Sequence, residues 1–250
     1  MSKKPLTRDE QFLAKAAGDD VPMPKPLTRA QEFLKRIVER LNGSVTEETL
    51  SNAIAPMNAS IAQLSRKTIQ FRHGKGTFTA AATGTNVVWQ YGGQQVQGGS
   101  CTFDVKSDNG LICMDFDSIT SLSIQNDAKN KMDLSDLGGK ITSTLNLYNC
   151  SSITGDLSDL GGKIANMLNL NGCSSITGVY SGTKYPKTFT VSKTSITAAD
   201  MDANLINFAA SGVKSGKFTA AGMKRTAASD NAVATLVTNG WTVSGLTKES

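Results

Sequence analysis

Residues 133–155 and 156–178 are nearly one sentence written twice. Asp133-Leu-Ser-Asp-Leu-Gly-Gly-Lys-Ile and Leu145-Asn-Leu-Tyr-Asn-Cys-Ser-Ser-Ile-Thr-Gly155 return as Asp156-Leu-Ser-Asp-Leu-Gly-Gly-Lys-Ile and Leu168-Asn-Leu-Asn-Gly-Cys-Ser-Ser-Ile-Thr-Gly178, at an offset of 23 residues with no gap. A unit this short cannot enclose a core alone, so its apolar stripe must be buried against the next copy. The offset lies in the leucine-rich-repeat range, and such stacks usually serve as display surfaces.

The pattern runs past the obvious pair. Counting back from Leu145 and Leu147 lands on Leu122 and Ile124, with Asn126 under Asn149; counting forward reaches Phe189 and Val191, then Phe218, then the Trp241–Val243 stretch. Within a rung Ile141, Leu145, Leu147 and Ile153 are expected to point inward. Period-two alternation then puts Ser123, Gln125, Asn146, Tyr148, Asn169 and Asn171 on an outward display face, with Ser121, Thr144 and Met167. The repeated Gly-Gly-Lys and Cys-Ser-Ser elements read as scaffold, because repetition in register is what stacking requires. Two helices, within 199–208 and 228–237, are expected to close the stack.

A second, quieter duplication stands at the start. Lys4-Pro-Leu6-Thr7-Arg8 with Phe12-Leu13 recurs as Lys25-Pro-Leu27-Thr28-Arg29 with Phe33-Leu34. Thr7 with Glu10, and Thr28 with Gln31, make capping boxes that predict a helix at each threonine. Isolated helices of about twelve residues are marginal in water. The segment therefore reads either as a partly ordered tail or as paired docking peptides that order on a partner. The docking reading explains why the same residues are kept twice.

From 44 to 68 the apolar residues Leu50, Ile54, Met57, Ile61 and Leu64 follow the four-and-three spacing of an oligomerising seam. Pro56 interrupts it, either kinking the helix or opening a second one. Packing against the same chain is the alternative to a homo-oligomer. Residues 69–107 read as a small β-region of short strands and Gly-rich turns, with His73 placed at the surface of a His-Gly-Lys-Gly turn. The expected organisation is thus α+β: docking helices over 1–43, a helical stalk over 44–68, the small β-region over 69–107, and a leucine-rich-repeat-like β-solenoid with a helical and strand cap over 108–250.

Composition narrows the function classes. A net charge of +5 with acids interleaved among the bases gives no basic stripe, which argues against nucleic-acid binding. No apolar stretch is long enough to span a bilayer and the start lacks a signal-peptide core, so no membrane insertion is expected and the chain is expected to be made in a cytoplasm. Cys101, Cys113, Cys150 and Cys173 contain no CxxC pair, so no zinc site is expected. Cys150 and Cys173 are expected as reduced, buried thiols one rung apart. No triad, metal spacing, phosphate loop or acid pair stands out, so the chain reads as no enzyme, with no cofactor.

The doubled Lys-Pro-Leu-Thr-Arg motif and the Leu-Asn-Leu-Tyr-Asn-Cys-Ser-Ser-Ile-Thr-Gly rungs, with the closing Asn231–Val243 stretch, resemble virion fibre and decoration proteins of Bacteroidales-infecting, crAss-like bacteriophages. The resemblance covers residues 4–40 and 118–243. It implies a head fibre, capsid decoration or tail fibre protein, located in the virion and often trimeric, docked on phage capsid or tail proteins by its N-terminus. A host surface glycan or receptor is the implied outward partner. The alternative from the residues alone is a cytosolic protein-interaction adaptor using the same face.

Overall fold

Alternation builds the first strands: in Gly76–Thr85 (β2), Phe78, Ala80 and Ala82 are buried while the residues between them are exposed, the period-two signature of a strand with one covered face. The computed structural model describes residues 67–249, which belong to one compact unit. The paired docking motifs at Leu6–Leu13 and Leu27–Leu34 and the seam at Leu50, Ile54, Met57, Ile61 and Leu64 lie outside the described residues.

Before the repeats come Lys67–His73 (β1), β2, Val88–Tyr91 (β3), Gln94–Gln97 (β4), Ser100–Val105 (β5), Gly110–Phe116 (β6) and Ser118–Ser123 (β7). The repeats and the residues after them supply Ile141–Asn146 (β8), Thr154–Asp156 (β9), Met167–Asn169 (β10), Ser175–Thr177 (β11), Thr188–Thr190 (β12), Lys217–Arg225 (β13) and Thr242–Lys248 (β14). Helix α1 (Ala198–Ala210) lies between β12 and β13, and α2 (Asp230–Thr238) between β13 and β14.

Three sheets result. One is four-stranded in the order β1-β6-β3-β4, one is eight-stranded in the order β14-β13-β12-β10-β8-β7-β2-β5, and β11 pairs with β9. The strands from β7 to β14 in the large sheet are parallel to their neighbours, whereas β2 meets both β7 and β5 antiparallel.

This corrects the expected architecture. The described residues are mostly β, with two α-helices, and no solenoid is found. The strands that carry the repeats continue edge to edge into β2 and β5, from the segment read as a separate small β-region. Beyond residue 107, β6 pairs with β1 and β3. The physical reason is that backbone edges pair wherever geometry presents them, and a change in composition does not mark where pairing stops. Spacing is also uneven after Leu168, whose partner Phe189 pairs in turn with Phe218 and that with Val243.

The repeat sets the register of the pair it contains. Leu145 sits opposite Leu168, and Leu122 opposite Leu145. Leu122, Leu145, Leu168, Phe189 and Phe218 are all fully buried in one apolar row, each such side chain contributing about 2 kcal/mol of transfer free energy. The two Asp-Leu-Ser-Asp stretches form 3-10 turns with reciprocal capping: Asp133 and Asp156 each accept from the backbone two residues on, and Asp136 and Asp159 reach back to the cap N–H. Gly162 has φ +54, and a Cβ there would lie 2.2 Å from the Gly182 Cα, so two backbones pass where no side chain fits.

Candidate functional site

Register turns the outward residues of β7 to β14 into two straight rows. One is Ser123, Asn146, Asn169, Thr190, Thr219 and Ser244; the other is Ser121, Thr144, Met167, Thr188, Lys217 and Thr242. Every one of these positions is half-buried or exposed. Parallel sheets are usually covered on both faces. Among the described residues this one presents a partly open face, made mainly of hydroxyl and amide groups with Met167 and Lys217 among them, at about 4.8 Å per strand.

The amides on it are held in place. Asn146 Oδ1 accepts from Tyr148 N at 3.3 Å and Asn169 Oδ1 accepts from Asn171 N at 3.2 Å. These bonds fix each amide and turn its Nδ2 donor away from its own turn. Next to them Gln125 Nε2 donates to Ser123 Oγ at 2.9 Å, and Tyr148 is 38% exposed. Asn171 is half-buried and receives the Asn149 N–H through its carbonyl at 2.7 Å. Asn126 and Asn149 both have left-handed backbones, at φ 55 and 56, and Asn149 Nδ2 donates to Asn126 Oδ1 at 3.3 Å. Of the six residues expected on the display face, Ser123, Asn146 and Asn169 end their strands in one row, whereas Gln125, Tyr148 and Asn171 lie in the turns just past the strand ends; four of the six are half-buried.

The bends beside this face use sulfur. Cys150 Sγ donates to Ile124 O at 3.4 Å and Cys173 Sγ to Leu147 O at 3.0 Å; both thiols are free and buried. Burial pushes Cys150 up to about 11 and Cys173 up to about 12, so neither is a nucleophile near neutrality.

His73 departs from its expected surface position. It is fully buried, with Nε2 bonded to Asp127 Oδ1 at 3.0 Å and its ring edge-to-face with Phe78 at 5.5 Å. Asn130 lies opposite His73 in an isolated antiparallel backbone bridge, and its Oδ1 accepts from Met132 N at 3.2 Å. The three come together because the loop after β7 runs beside the end of β1, with Gly74 N donating to Lys129 O and Lys131 N to Arg72 O. No local pattern marked that meeting.

Among the described residues no three His, Cys, Asp or Glu side chains gather where a metal ion could be held, and no helix is long and apolar enough to cross a membrane. A cleft of about 610 Å³ between β2 and β3 is lined by small and uncharged residues, among them Thr83, Gly84, Asn86 and Gly98. No family model, curated protein or solved structure matches the chain.

Proposed function

We infer that the chain is a non-enzymatic structural protein of a bacteriophage virion, a head fibre, capsid decoration or tail fibre. It is held to the particle by residues 1–43, assembles as a homo-oligomer (a trimer) through the 44–68 seam, and presents the polar strand face outward to a host surface or a neighbouring virion protein. The observation that carries the display part is the open parallel face with its fixed amide donors, because a covered sheet would bury apolar residues there instead. The virion part is supported by the doubled Lys-Pro-Leu-Thr-Arg and Phe-Leu motif, since two copies strengthen docking without new contact types.

Deleting residues 1–43 is expected to leave a folded protein that no longer joins particles. Retained incorporation would remove the docking reading. Co-sedimentation of the full chain with assembled particles is expected, and exclusive recovery with one soluble cytosolic protein would favour an adaptor instead. For the display face, Tyr148→Ala and Asn169→Ala are expected to weaken attachment to host cells, and unchanged attachment would take that face out of consideration.

A further inference from the structure

The segments that lead into β10, β12 and β13 carry a cluster of bases without acids. Lys163, Lys184, Lys187, Lys214 and Lys217 are all exposed there. Backbone bonds set their spacing: Lys184 N donates to the carbonyl of Gly162, beside Lys163, at 3.0 Å, and Lys217 N donates to Lys187 O at 2.7 Å. No Asp or Glu occurs between Asp159 and Asp200 or between Asp202 and Asp230. Asp200, Asp202 and Asp230 belong to the N-terminal parts of α1 and α2, and both helices run back toward the lysines. Among the described residues none of the five lysines forms an ion pair. The helix C-termini bring about half a negative charge each, far short of balancing five ammonium groups.

On either side of Lys184 in the chain, Thr183 and Tyr185 line a cleft of about 290 Å³ together with Gly182, Asn207, Ala210 and Ser211. Tyr185 is half-buried and held edge-to-face by Phe208 at 5.0 Å and by Tyr180 at 5.6 Å. Asn207 is fixed in turn by donating to Tyr180 O at 3.3 Å. Hydroxyls, an amide and glycine backbone give an apolar peptide side chain little to pack against. An aromatic ring with a polar tip, hydroxyl groups and surplus positive charge suit a polyhydroxylated ring that carries an acid.

We propose that this cleft binds carboxylated sugar units of a surface glycan, with Tyr185 and Thr183 at the sugar ring and Lys184 and Lys187 at the carboxylate. The site stands at the strand ends, where Lys217 of one outward row meets the lysine cluster, and its test is independent of whether the chain joins a particle. Full-length protein would be titrated with an oligogalacturonate, an oligoguluronate and a sialylated oligosaccharide. Maltotetraose serves as the neutral control, and polyglutamate and oligothymidylate serve as acidic chains of other kinds. At least one carboxylated oligosaccharide is expected to bind, while maltotetraose does not. The Lys184→Gln/Lys187→Gln pair is expected to weaken that binding by about tenfold, the scale of losing a charge-assisted contact. Tyr185→Phe, which keeps the packing and removes the hydroxyl, is expected to weaken it by a few-fold. Failure of all three acidic oligosaccharides to bind would overturn the proposal. So would binding indifferent to the lysine pair, or equally tight binding of polyglutamate or oligothymidylate.

Discussion

His73 and Asp127, 54 positions apart, meet at 3.0 Å between imidazole Nε2 and carboxylate Oδ1, in a place where the histidine has no exposure. The pair fastens the end of β1 to the loop that follows β7. His73 Nδ1, Asp127 Oδ2 and Asn130 Nδ2 have no protein partner among the described residues, so the cluster is sensitive to any change that orphans one more group.

His73→Leu is therefore expected to destabilise the protein by about 3 kcal/mol, because it leaves a nearly buried carboxylate with the Lys129 N–H as its remaining donor. The double change His73→Leu/Asp127→Leu is expected to be less harmful than His73→Leu alone, since it removes both polar partners together. Urea unfolding of the four proteins in the cycle measures the coupling. Strict additivity would show that the contact contributes nothing.

Asn204 is fully buried on α1 and uses its whole amide. Its Oδ1 accepts from Tyr180 N at 2.8 Å, and its Nδ2 donates to Gly178 O at 3.1 Å and Asp200 O at 2.9 Å. Asn204→Leu keeps the bulk and strands the Tyr180 N–H and Gly178 carbonyl, for an expected loss of about 3 kcal/mol. Asn207→Leu, which loses a single bond from Nδ2 to Tyr180 O, is expected to lose about 1 kcal/mol. Equal losses in denaturant unfolding would contradict this ranking.

Asp202 ties stability to acid. Burial pushes this carboxyl up, but hydrogen bonds from Ser229 Oγ at 2.5 Å and Thr226 Oγ1 at 2.6 Å outweigh it and hold the group below the usual carboxylate range. A folded-state value below the unfolded one means the stabilisation is complete above the unfolded value and is lost as pH falls through the folded value. Asp202→Asn is expected to lower stability at neutral pH and to flatten the loss of stability below about pH 4. Unfolding curves at stepped pH check this, and an unchanged acid slope would refute it.

Thiol chemistry separates the cysteines. Cys101 and Cys173 are pushed up to about 12 and Cys150 to about 11 by burial, while Cys113 is raised too but remains half-exposed. In mildly alkaline buffer a soluble disulfide reagent is expected to label Cys113 alone in the native protein, and all the cysteines after denaturation. Fast native labelling of Cys150 or Cys173 would mean that the repeat bends open.

The sequence was most informative where neighbouring copies constrain each other. Leu145 faces Leu168 because the same apolar pattern returns after 23 residues, and the helices Ala198–Ala210 and Asp230–Thr238 fall where their periodicity placed them. It was silent where partners come from unlike segments. Nothing in Gly76–Thr85 says that Ala82 will pair with Leu122, so the small β-region looked separate and the shared sheet was missed. His73 sits in a sequence rich in turn formers, yet it ends the inward-facing row of β1, packed on Phe78 and met by a distant loop. The cleft beside Lys184 was hidden for a related reason: its lining joins residues 182–185 to residues 207–211, and no local pattern in either stretch announces the other.

The 23-residue offset also makes the large sheet adjustable in length. Inserting one further copy at Gly178 would add one parallel strand and lengthen the sheet by about 4.8 Å, while β5 and β14 would remain its outer strands. A copying slip during replication, the kind of error that tandem repeats invite, would thus change reach in fixed increments and leave both ends as they were.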